Sequence, residues 1–100
     1  MSEGIIGYWQ GLPVYLTEHA RIRIRERGIT INDLKEALNS PDMDFLNKLY
    51  NRRIIVKLYD SEGLILVLDE FEDHAEIVTV IFSTEAKEIV RRRTRRGRWA

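Results

Sequence analysis

His19, Arg23 and Arg27 recur at every fourth position of LTEHARIRIRERGIT, residues 16–30. On a helix these three side chains line one face with slow drift. A group that moves a proton beside fixed cations is a set that can work on a phosphate ester. Histidine titrates near neutrality and can serve as base or acid. Arginine stays charged and grips phosphate oxygens two at a time. In this reading His19 transfers the proton, Arg23 and then Arg27 supply the cation, and Tyr59 or Tyr50 is a weaker acid or base. A structural reading stands beside it. His19 in a first helical turn could simply bond to backbone or to a carboxylate. Arg27, just before Gly28, could satisfy terminal carbonyls or pair with Asp33. His74, in an acidic turn, reads as surface.

The argument depends on whether residues 18–27 form a helix. RIRIR alternates with period two, which favours a strand with its arginines on one face. The flanks favour a helix. Thr17 is a good N-cap, Glu18 suits the helix dipole and Gly28 is placed as a C-terminal stop. Ala, Arg and Glu are good helix formers. We therefore expect a helix over 18–27, with Ile22 and Ile24 about 200° apart and only one of them packing with Ala20.

The second basic signal is RRRTRRGRW. Six arginines lie between residues 91 and 98, followed by Trp99. Arg91, Arg92, Arg95, Arg96 and Arg98 could track a phosphate backbone while Trp99 stacks on a base. Alternatively, the arginines are a solvated helix end and Trp99 folds back on the core, beside Trp9.

The remaining elements follow from patterning. INDLKEALN after Thr30 reads as a second helix, capped by Thr30 or Asn32, with Leu34, Ala37 and Leu38 on its apolar face; the SPD at 40–42 ends it. Strands are expected over 43–51, 52–60, 63–71 and 76–83, with DSEG turning the chain at 60–63. Ser83 or Thr84 would cap a last helix. Residues 1–13, with Tyr8 and Trp9, read as an extended arm or short edge strand, and 14–16 as a short extended piece. The strands at 53–59 and 64–68 are apolar on both faces, so a last helix or a second subunit must cover the outer one. The expected fold is α+β: two N-terminal helices, an antiparallel four-stranded sheet meander and a short C-terminal helix. It makes one domain over 1–100, with an arm at 1–13 and a basic tail at 91–100.

Composition bounds the chemistry. There is no cysteine, so no disulfide and no thiolate nucleophile or ligand. With two histidines, no metal site is expected, and no cofactor is implied. No stretch suggests a signal peptide or a membrane span, so a cytoplasmic protein is the default. Four Asn and one Gln against twelve Ile hint at a thermophile. The formal net charge of zero hides an asymmetry. Residues 85–100 carry seven basic and two acidic side chains, while residues 60–76 carry seven acidic ones and no Lys or Arg. A basic end can meet nucleic acid, and an acidic end can meet a basic partner or a second copy, giving a homodimer.

His19-Ala20, Arg23 and Arg27-Gly28-Ile29, then a helix ending near a proline and the strand EIVTVIFS, resemble the uncharacterised family known as domain of unknown function 4258. The resemblance runs from Leu16 to Ser83. It implies a likeness to RelE-like and BrnT-like toxins: helices before a four-stranded antiparallel sheet, metal-independent RNA cleavage, and restraint by an antitoxin protein. Such toxins tend to be clearly basic, and this chain is neutral. The alternative is a non-catalytic nucleic-acid- or protein-binding module that uses its basic C-terminal tail.

Overall fold

A computed structural model of the chain describes residues 4–100. In chain order its elements are β1 (Gly7–Trp9), β2 (Leu12–Leu16), α1 (Glu18–Arg27), α2 (Ile31–Asn39), β3 (Met43–Asn47), β4 (Arg52–Leu58), β5 (Gly63–Glu70), β6 (Ala75–Ser83) and α3 (Ala86–Arg95). One six-stranded sheet runs in the order β1-β2-β6-β5-β4-β3.

This architecture corrects the expected one. Two strands precede the helices, and the sheet has six strands and is mixed rather than four-stranded and antiparallel. β3 to β6 form an antiparallel run, but β2 joins β6 in parallel, Val14 opposite Ala75 and Leu16 opposite Ile77. The first hairpin gives a weak sequence signal. β1 and β2 are joined by Gln10-Gly11, both with positive φ, at 50° and 84°. That suits a tight two-residue turn, for which Asn-Gly is the usual marker and Gln-Gly is not. Pro13 also argues against a strand. It is tolerated because the pairing with β6 begins only at Val14.

Local chemistry sets the helices. Thr17 Oγ1 accepts from Ala20 N at 3.1 Å, and Thr17 N donates to the Ile77 carbonyl at 3.1 Å, so α1 is capped and tied to β6 by one residue. Gly28 sits in the left-handed region at φ 70°, where Ile29 N donates back to the Ile24 carbonyl at 2.9 Å. These flanks override the RIRIR alternation. Ala20 and Ile24 are buried and Ile22 is exposed. α2 opens with a capping box: Asp33 N donates to Thr30 Oγ1, and Thr30 N to Asp33 Oδ2. The last helix is capped otherwise than expected. Its N-cap is Glu85, with no side-chain cap, and Ser83 Oγ accepts from Glu85 N.

The sheet is covered on both faces. On one, α1 and α2 bring Ala20, Ile24, Leu34, Ala37 and Leu38 onto Ile55, Leu64, Leu66, Leu68 and Ile77. On the other, Ala86, Val90 and Trp99 pack on Ile54, Val56 and Ile65. Period-two alternation along β4 and β5 sends neighbouring residues into opposite cores. The chain's own C-terminal segment thus covers the second face. Gly63 marks the tightest approach there, because a Cβ on it would collide with the Ala86 side chain.

Candidate functional site

The C-terminal segment is docked on the sheet. After α3, Gly97 turns the chain at φ 76°, and residues 98–100 run antiparallel along the outer edge of β3. Leu46 and Ala100 exchange backbone hydrogen bonds of 2.9 and 3.1 Å, and Lys48 N donates to the Arg98 carbonyl at 3.0 Å. Trp99 is buried, 4% exposed, with its ring 5.8 Å from that of Phe45 and the Arg93 guanidinium 5.7 Å from its centroid. The Trp99 ring is therefore a core side chain. Its neighbour is Phe45, not Trp9, whose indole instead donates to Glu70 at 2.8 Å.

Docking gathers the basic residues. Arg92, Arg93, Arg96 and Arg98 line one hollow of about 260 Å³. All four are exposed, and among the described residues none is ion-paired to a carboxylate. Their charges repel one another, and a bound anion would relieve that repulsion. Arg91 is held apart by Glu88 at 2.9 Å, and Arg95 lies outside the lining. Arg93 was missed in the sequence because it shares a stripe with Ala86, Ile89 and Val90. The period could have supplied Arg92 and Arg96, at i and i+4, as neighbours.

A second concavity, about 360 Å³, opens between the α1–α2 corner and the sheet. It is lined by Arg27, Asp33, Tyr59 and Glu62, with Ile29, Leu64 and Phe82 as apolar wall. Tyr59 meets Phe82 edge-on at 6.4 Å. Burial, helped by Glu36, Asp33 and Asp42, pushes the Tyr59 phenol above its usual value of 10.0, so it stays protonated at neutral pH and can only donate a proton. The cleft unites two of the four proposed catalytic residues, Arg27 and Tyr59. His19 and Arg23 lie outside it. His19 is exposed in the first turn of α1, about 12 Å along the helix axis from Arg27. Arg23 is half-buried, and its Nε has no hydrogen-bond partner among the described residues. Sequence reading missed Glu62 and gave Asp33 only as a partner for Arg27; the described residues show no ion pair between Arg27 and Asp33.

His74 is more than plain surface. Its Nδ1 lies 2.7 Å from Asp73, its Nε2 3.4 Å from Glu76, and Phe71 stacks on it at 4.7 Å. The hydrogen bond to Asp73 raises its pKa; burial opposes the rise, and the weaker bond to Glu76 adds to it.

Residues 16–82 match the family model described as domain of unknown function, DUF4258. The chain belongs to the DUF4258 family. No curated protein and no solved structure matches the chain. The DUF4258 match takes in α1, α2, β3 to β5 and β6 up to Phe82, so it contains the Arg27–Tyr59 cleft. It stops before α3, so the arginine hollow lies beyond it. Among the described residues, no helix is long and apolar enough to cross a membrane.

Proposed function

We propose that this DUF4258 protein binds RNA through the hollow of Arg92, Arg93, Arg96 and Arg98. The observation that carries the reading is the convergence on one concave surface of four guanidinium groups with no carboxylate partner among the described residues. Docking of residues 98–100 on β3 holds Arg98 against the end of α3, so part of the ordering cost of binding is met in folding. Guanidinium groups grip phosphate oxygens in pairs and need no particular base sequence.

One observation favours cleavage in addition to binding: Arg27 and Tyr59 share a cleft. There Tyr59 would protonate the leaving 5′-oxygen and Arg27 would stabilise the phosphorane. Glu62, or Asp33 through its other carboxylate oxygen, would accept the 2′-hydroxyl proton. A likeness to RelE-like and BrnT-like toxins, with an antitoxin partner, belongs to this second reading. Two carboxylates in the lining oppose a phosphate, so the cleft supports it less well than the hollow supports binding.

One assay tests both. A labelled mixed-sequence RNA is titrated with protein in EDTA, affinity is read by anisotropy and integrity on a gel. Arg92→Ala/Arg96→Ala should weaken binding about tenfold or more at low salt. Unchanged affinity in this variant, with fold intact, contradicts the binding reading. Cleavage by wild type that is lost in Arg27→Ala and Tyr59→Phe supports the second reading; intact RNA at saturating protein removes it for free RNA.

A further inference from the structure

The docked C-terminal segment brings the arginine hollow to the β3–β4 turn, residues 48–51. Lys48 N donates to the Arg98 carbonyl, and Arg98 lines the hollow. Two residues further on is Tyr50, within about 7 Å of Lys48 along the chain. The turn is braced rather than loose. Leu49 N donates to Asn47 Oδ1 at 3.0 Å, Asn51 N to the Asn47 carbonyl at 2.7 Å, and Asn51 holds a left-handed φ of 56°. This braced turn projects the most exposed large apolar side chains among the described residues, Leu49 at 64% and Tyr50 at 65%. Among the described residues the Tyr50 hydroxyl has no hydrogen-bond partner and its ring no aromatic neighbour. An aromatic ring held in water contributes little to this fold. On a turn hydrogen-bonded to the segment that carries Arg98, it has the chemistry of a stacking platform, because every base offers a π face.

We infer that Tyr50 stacks on a base, and that the ligand of the arginine hollow is single-stranded nucleic acid. The inference rests on the RNA-binding reading and narrows it. In a duplex the base faces are stacked on one another and closed to a side chain, whereas an unpaired strand can splay a base onto Tyr50. The arginines would hold the backbone and Tyr50 would select the unpaired state. Trp99, which the sequence offered for this role, is buried in the core beneath α3.

The test compares a labelled single-stranded RNA with the same sequence annealed as a duplex. Wild type, Tyr50→Ala, Tyr50→Phe and Arg92→Ala/Arg96→Ala are each titrated by anisotropy. Wild type should prefer the single strand. Tyr50→Ala should lose about tenfold on the single strand and little on the duplex, and Tyr50→Phe should keep the affinity. The arginine variant should weaken on both. Unchanged single-strand affinity in Tyr50→Ala overturns the inference and leaves RNA binding standing, as does equal loss on both substrates. Failure of wild type to bind either RNA overturns both. A change in sedimentation state in Tyr50→Ala, without a change in affinity, would place the ring in a protein interface and also overturns the inference.

Discussion

Replacing Trp99 by alanine separates a docked C-terminal segment from a solvated one. Trp99 is 4% exposed and packs with Phe45, Ile54, Val56 and Ile65 beneath α3. A buried tryptophan removes about 150–250 Å² from water, worth about 4–6 kcal/mol at ~25 cal/mol per Å². Truncations of this kind cost about 3–5 kcal/mol. The indole Nε1 is buried without a partner among the described residues, so the native site already carries an unmet polar group. We therefore expect the lower end, about 3 kcal/mol, from urea unfolding of both proteins at matched slope. Trp99→Phe, which keeps a ring against Phe45 and removes the unpaired N–H, should lose clearly less. The variant should also bind RNA more weakly, because Arg98 and the strand pairing that holds it lose their anchor. A loss below about 1 kcal/mol would refute the docking, since surface substitutions stay within about 0.5 kcal/mol and buried truncations cost several times that. The arginines would then be a solvated tail.

Other consequences can be checked separately. Gly63→Ala drives a Cβ into Ala86 and to 3.1 Å from Leu58 Cδ2, so it should destabilise by about 1–3 kcal/mol in the same urea assay. Thr30→Ala removes the capping box of α2 and should cost about 1 kcal/mol. The His74 pKa is raised in the fold, so its contribution to stability is complete below the unfolded value near 6.5 and is lost as pH rises through the folded value. An NMR titration should place His74 above 6.5, and Asp73→Asn should bring it down. Spectrophotometric titration should show Tyr59 ionising above 10.0, and a lower midpoint would remove it as a proton donor held neutral by its surroundings.

What the sequence disclosed follows from the range of the forces involved. Thr17, Gly28, Thr30 and the Leu34-Ala37-Leu38 stripe act within one or two helical turns, so both central helices could be read from local patterning. The apolar faces of residues 53–59 and 64–68 correctly called for a second cover, which α3 and Trp99 provide. The β2–β6 pairing joins residues about sixty positions apart, and nothing in LPVYL marks its partner or its parallel sense. That long-range pairing, with the Gln10-Gly11 hairpin, turned the expected four-stranded meander into a six-stranded mixed sheet. The same limit applies to the site. Helical period could align His19, Arg23 and Arg27, but Arg27 alone faces Tyr59, because the cleft is made by the α1–α2 corner meeting the β4–β5 end. Arg93 and Tyr50 gain their setting only when the C-terminal segment pairs with β3.

The most direct test of RNA binding by the arginine hollow is the salt dependence of affinity. Anisotropy with one single-stranded RNA is measured across ionic strength for wild type and Arg92→Ala/Arg96→Ala. Four phosphate contacts predict a slope of log K against log salt of about −3, and removing two arginines should reduce it to about −1.5. A wild-type slope near zero, or one that the double variant leaves unchanged, would contradict the account.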